Sequence, residues 1–207
     1  MALLALLNDV ESELDSAGLV VGDSDSAATK EGEQQALTIA KNIHKPMGRV
    51  DILAASPAVR LMKLLHNIRV KSTDAYLSKV PIKYFDALKE RSFGVLNGSK
   101  MNINSELFSH TRLCAEDGES IAQVRRRMMK IIDSLCQGNK RVLIVSHPFA
   151  CQVACNTMLG ISQVALTTFW FKKGAFALFE RTDGWKLKKA LNLISEEEHD
   201  IYAELVV

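Results

Sequence analysis

The stretch KRVLIVSHPFACQVACNTML, residues 140–159, constrains the fold more than any other part of the chain. Its first half reads as a central β-strand, and Pro148 at once opens a helix, where a first-turn proline loses no hydrogen bond. Strand followed directly by helix is the unit of an α/β fold, and the same alternation recurs along the chain. Residues 2–7 form an apolar run of strand length. Residues 29–43 place Ala36, Leu37, Ile39, Ala40 and Ile43 at helical spacing behind Thr29 as an N-cap, with Pro46 and Gly48 ending the helix. Residues 50–56 read as a second buried strand. Pro57 then starts a helix carrying Val59, Leu61, Met62, Leu64, Leu65 and Ile68.

Residues 119–135 are strongly amphipathic. Residues 175–180 and 186–191 flank the turn Thr182-Asp183-Gly184, which predicts a hairpin at the edge of the sheet. Between residues 71 and 117 the pattern loosens into one short strand, VPIKYF, and glycine- and asparagine-rich loops, as expected of a cap over a site. The tail EEEHDIYAELVV reads as a solvated terminal helix or, alternatively, as an oligomer contact.

Composition narrows the function classes. A chain of 207 residues with 47% hydrophobic content fits one domain spanning residues 1–207. A net charge of +2, with both signs interspersed, lacks the basic footprint of a nucleic-acid binder. The opening MALLALL has no basic flank, and no run reaches the roughly 18 apolar residues of a membrane span, so a cytoplasmic protein is expected. The four cysteines, Cys114, Cys136, Cys151 and Cys155, show no CxxC spacing. Cys151 and Cys155 suit one packed helix face better than a metal site, and no metal or cofactor is expected.

Three short segments carry candidate chemistry. VLIVSHPF delivers Ser146 and His147 to the carboxyl end of a strand, where open α/β sheets bind ligands and a helix N-terminus offers N–H groups to an anion. His147 serves equally well there as a site residue or as a packed, capping one. In ASPAVR, Arg60 follows another strand end; it is suited to clamping an oxyanion or to an ordinary salt bridge. In LKERSFGVLNG, Glu90 and Arg91 precede an aromatic and two glycines, a loop folded against a pocket with Glu90 as a general acid or as a solvated carboxylate.

In chain order, DSAATKEGEQQA, ASPAVR, LKERSFGVLNG, EDGES and VLIVSHPF resemble successive blocks of the histidine phosphatase superfamily, whose best-known branch is the cofactor-dependent phosphoglycerate mutases. The resemblance covers nearly the whole chain. It implies a three-layer α/β/α sandwich with a mainly parallel central sheet and a pocket at the strands' carboxyl edge. It also implies roles: Arg60 as a phosphate-binding arginine, Glu90 as the general acid, Arg91 as a substrate arginine and His147 as the phosphate-stabilising histidine. The family's Arg-His-Gly triplet, whose histidine is phosphorylated, falls on Asn8, Asp9 and Val10, and a further phosphate-binding asparagine falls on Asp15. The nucleophile position therefore holds an aspartate beside Asn8 at a substrate-binding position.

That exchange alters the chemistry. A neutral imidazole attacks phosphorus and leaves again at physiological pH, whereas a carboxylate repels a phosphoryl dianion. Each like-charge contact near 4 Å costs about 4 kcal/mol at an effective dielectric of about 20, about a thousandfold in binding. Asp9 is expected instead to pair with Arg60 or His147 and to fill the phosphate site with an internal ion pair. The leading expectation is a noncatalytic family member acting in binding, regulation or scaffolding. The alternative is a hydrolase of a small phosphorylated molecule or phosphoprotein that uses Asp9, Glu90 and His147. A third reading is a structural subunit that assembles into a homo-oligomer. A phosphorylated small molecule or a protein is the expected partner, with nucleic acid and membrane excluded.

Overall fold

The computed structural model describes residues 1–71, 77–100, 114–161 and 171–195. The six strands form one sheet: β1 (Ala2–Leu7), β2 (Ile52–Ala55), β3 (Ile82–Tyr84), β4 (Arg141–Val145), β5 (Ala175–Arg181) and β6 (Trp185–Asn192). Their order across the sheet is β3-β2-β4-β1-β5-β6. β1 to β4 run parallel, while β5 lies antiparallel to β1 and β6 returns beside β5 as the expected edge hairpin. The edge strand β6 exposes Lys186, Lys188 and Lys189, charges that discourage edge-to-edge pairing.

The helices are α1 (Glu13–Ser16), α2 (Lys30–Asn42), α3 (His44–Met47), α4 (Val59–Lys71), α5 (Ile121–Leu135) and α6 (Pro148–Met158). Strand side chains alternate between two cores, as a period of two dictates. Ala2, Leu4 and Leu6 join Val142 and Ile144 under α5 and α6. Ala5, Leu7, Leu143 and Val145 pack under α2 and α4 on the opposite face. The result is the expected three-layer α/β/α arrangement, with a mostly parallel sheet.

Local signals explain where the helices begin. The Thr29 side chain accepts from the Gly32 N–H at 3.0 Å, capping α2. Gly32 is required by close approach, since a Cβ there would lie 2.1 Å from the Glu11 carbonyl oxygen. Ser120 and Gln123 form a reciprocal capping box on α5. Two boundaries differ from expectation. α4 starts at Val59 rather than Pro57, because the Ala58 carbonyl accepts the first helical N–H, from Met62. α2 stops at Asn42, and Pro46 falls inside the separate short helix α3. No helix among the described residues is long and apolar enough to cross a membrane. The expected tail helix or contact, and residues 72–76 and 101–113 of the cap-like segment, lie outside the described residues.

The parallel register sets up the site. Leu7 and Ala55 both pair with Val145, so Asn8, Ser56 and Ser146 leave the sheet side by side at its carboxyl edge. The next residues along, Asp9 and His147, meet there, and Arg60 reaches them from the first turn of α4.

Candidate functional site

Asp9 lies at the centre of a buried cluster and has no exposed surface. Arg60 donates from Nε to Asp9 Oδ2 at 2.9 Å, and its Nη2 approaches His147 Nδ1 at 2.7 Å. The pairing expected from the sequence is therefore present. Guanidinium nitrogens only donate, so Nδ1 of His147 accepts, and the ring proton on Nε2 is donated to Ser56 Oγ at 2.8 Å. His147 Nδ1 also stands 3.2 Å from Asp9 Oδ2. The second carboxylate oxygen, Oδ1, takes Lys173 Nζ at 2.8 Å, and the same ammonium reaches Asp15 Oδ2 at 2.8 Å.

The charges explain why a carboxylate is tolerated with no contact to water. Burial pushes the Asp9 pKa up, but the Lys173 and Arg60 charges overcome it and hold the group well below the usual carboxylate range. For Lys173, burial works to lower the pKa, and the charges of Asp9 and then Asp15 outweigh it, raising it above the ordinary lysine value. Arg60 and Lys173 thus balance Asp9 and Asp15, leaving the cluster without net charge. Removing either side would strand a buried ion, which is the costly way to break such a pair.

Lys173 is the member of this cluster that sequence reasoning missed, and Asn8 explains how it arrives. The Asn8 side chain donates to the carbonyls of Phe171 and Lys172, and Gly174 N–H donates to the Asp9 carbonyl at 3.0 Å. Asn8 thereby pins the segment before β5 across the end of β1. Gly174 has φ +71°, and a Cβ there would lie 2.5 Å from the Ile194 side chain, so the close return of this segment requires glycine. The signal available in the sequence was the pair Lys172-Lys173 ahead of Gly174, legible only once β5 is known to lie beside β1.

Glu90 and Arg91 form a second cluster. The Glu90 carboxylate accepts from three backbone N–H groups: Arg91 at 2.8 Å, Ala150 at 2.9 Å and Phe149 at 3.0 Å. Two of these donors belong to the first turn of α6, so Glu90 occupies the helix N-terminus that the sequence offered to an anion. Arg91 is fully buried; it donates from Nε to the Glu119 carbonyl at 2.8 Å and lies 4.9 Å and 5.1 Å from the ring centres of Phe93 and Phe149. Burial pushes its pKa down to about 10, against the nearby Cys114, Glu90 and Glu119, leaving it a cation at neutral pH.

Behind this loop, Arg127 grips the Glu119 carboxylate with two nitrogens and donates to the carbonyls of Ala87, Lys89 and Glu90. Ser146 Oγ donates to the Leu88 carbonyl at 2.7 Å, fixing the same loop to β4. Arg127 and Glu119 were not picked out from sequence, although EDGES marked their neighbourhood. Among the described residues, no group of three or more histidine, cysteine, aspartate or glutamate side chains is placed to hold a metal ion. Cys151 and Cys155 are buried in α6, and burial pushes both thiols above their ordinary pKa.

Comparison with known proteins agrees with this architecture. The chain is 27% identical over 172 residues to an Erwinia tasmaniensis protein described as "Probable phosphoglycerate mutase GpmB", covering 78% of this chain and 76% of that one. A phosphoserine phosphatase variant from Entamoeba histolytica, solved with phosphoserine, superposes with a TM-score of 0.77 at 23% identity, over 92% of this chain and 96% of that one. The mycobacterial glucosyl-3-phosphoglycerate phosphatase superposes with a TM-score of 0.75 at 13% identity, over 90% and 96%. At these identities the two structures speak to the fold. The histidine phosphatase superfamily (branch 1) pattern matches residues 10–193, nearly the full length, and the chain belongs to that superfamily.

Proposed function

We propose that this protein is a noncatalytic member of the superfamily, in which the Asp9 carboxylate fills the phosphate site and the molecule acts by binding, regulation or scaffolding. The observation that carries this reading is the pairing of Asp9 through both oxygens, with Arg60 on one side and Lys173 on the other. A phosphoryl dianion bound among these side chains would face a buried carboxylate. At about 4 Å that contact costs about 4 kcal/mol for each pair of unit charges at an effective dielectric of about 20. The resemblance read from the sequence aligns Asn8 and Asp9 with the family's arginine and phosphorylated histidine, and on that alignment a positive charge and a neutral nucleophile are both replaced. Glu90 meets three N–H donors, an arrangement suited to an acceptor rather than a proton donor.

The hydrolase reading keeps one observation in its favour: Asp9, Arg60 and His147 do converge at the carboxyl edge of the sheet, as a phosphoryl-transfer site would require. In that reading Asp9 attacks phosphorus or activates water, and Glu90 protonates the leaving oxygen. The two readings separate in one assay. The purified protein, its His147→Ala variant and the triple variant Asn8→Arg, Asp9→His, Val10→Gly are tested against a panel of phosphomonoesters that includes phosphoserine and 3-phosphoglycerate. The noncatalytic reading expects background rates from the first two and a gain of turnover in the triple variant. Turnover by the unmodified protein that His147→Ala abolishes would overturn it.

A further inference from the structure

We infer that the outward face of α5, built on Arg125, Arg126 and Lys130, is a docking surface for an acidic segment of a partner protein. All three side chains are exposed. Every other described arginine meets an acceptor of its own chain, from the buried Arg60 on Asp9 to the partly exposed Arg69 on the Ser78 carbonyl. Arg125 and Arg126 meet none among the described residues. The helix does not neutralise itself, because the carboxylates nearest in sequence are taken: Asp133 by Arg181 at 2.9 Å and Glu119 by Arg127 at 2.8 Å. Arg126 and Lys130 stand four residues apart, a spacing at which like charges repel on a helix and an anion laid between them is favoured.

The class of partner follows from charge and shape. The buried face of α5, with Val124, Met128 and Ile132, and its capping box fix the helix in place, so the three cations keep their spacing before a partner arrives and little ordering is left to do on binding. An acidic segment can set a carboxylate against each cation, and the planar guanidiniums can take theirs through two parallel N–H donors. A membrane surface fits less well, since none of the exposed large apolar side chains lies on α5 to insert among lipids. Nucleic acid fits less well too, because the net charge of +2 gives no broad basic field around these three residues. The Asp9 cluster draws on β1, α1, α4 and the segment before β5, none of which contributes to this face, so the surface stands or falls independently of the noncatalytic reading.

The test is fluorescence anisotropy of a labelled hexaglutamate peptide titrated with the full chain, with labelled hexaglutamine, phosphatidylserine vesicles and single-stranded oligothymidylate as comparisons. Hexaglutamate is expected to bind saturably at about 20 mM salt and to weaken as salt rises toward about 150 mM, while hexaglutamine does not bind. Arg125→Gln, Arg126→Gln and Lys130→Gln combined should weaken hexaglutamate binding about tenfold or more. Lys30→Gln, Lys41→Gln and Lys79→Gln combined remove the same charge from exposed positions on other elements and should change it less than about twofold. All six positions are exposed, so both variants keep the fold, which circular dichroism verifies. No saturable hexaglutamate binding up to about 5 mM at low salt, equal binding of hexaglutamine, an equal loss in the two triple variants, or tighter binding of the vesicles or the oligothymidylate through the same three residues would each overturn the assignment.

Discussion

The two buried polar clusters solve the same problem in opposite ways. Around Asp9, charges meet charges: Arg60 from α4, Lys173 from the segment before β5 and Asp15 from α1 converge on a carboxylate at the end of β1. Around Glu90, charges meet backbone: three N–H groups hold the carboxylate, and three carbonyls together with Glu119 hold Arg127. Backbone partners make a rigid clasp that fixes one loop conformation. Side-chain partners make a site whose balance one substitution can reverse.

The largest expected effect breaks the first cluster. Asp9→Ala leaves the buried Arg60 without its counter-ion, and the half-buried Lys173 with Asp15 alone, and should lower unfolding free energy by about 3–5 kcal/mol in urea titration. Glu90→Ala removes the acceptor for three N–H groups and should cost about 2–3 kcal/mol by the same measurement. Arg127→Met leaves the carbonyls of Ala87, Lys89 and Glu90 to find water, and being half-buried these should cost about 1–2 kcal/mol. A loss from Glu90→Ala larger than that from Asp9→Ala would invert the comparison.

The pH dependence sharpens it. A carboxylate held below its unfolded value of about 3.9 contributes stability that is present above that pH and lost as the pH falls below it, so Asp9→Asn should flatten the acid limb below about pH 4. A lysine held above its unfolded value of about 10.4 contributes stability that is present below that pH and lost as the pH rises through the folded value. Lys173→Met should therefore flatten the alkaline limb above about pH 10. The smallest effect belongs to an exposed pair: Lys89→Ala, which removes the contact with Asp86, should change stability by less than about 0.5 kcal/mol.

What could be read in the sequence followed physical range. The strands and helices were legible because burial writes itself locally, as in the unbroken run of β4 and the Thr29 cap of α2. Arg60, His147 and Asp9 were legible together because each stands just past a parallel strand, and parallel strands bring their carboxyl ends to one edge. Lys173 was not, since it reaches the edge through an antiparallel strand 164 residues after Asp9. The anchoring by Asn8 was hidden for the same reason: its side chain pins that returning segment through the Phe171 and Lys172 carbonyls, contacts 163 and 164 residues away in sequence. Glu90 was found as a residue, but its three backbone partners depend on where α6 begins in space. The Arg127 clasp spans 37 to 40 residues to the carbonyls it holds, and no local pattern announces it.

The central claim, that Asp9 occupies the place of a bound phosphate, is tested most directly by thermal unfolding of the unmodified protein and of Asp9→Ala, each with and without inorganic phosphate. The account predicts that Asp9→Ala melts lower in phosphate-free buffer and recovers about 4 °C or more when phosphate fills the vacated cationic site, while the unmodified protein gains nothing. Asp9→Asn, which keeps the side-chain shape, should show the same selectivity in milder form. Equal stabilisation of the unmodified protein by phosphate, or no response in either variant, would contradict it.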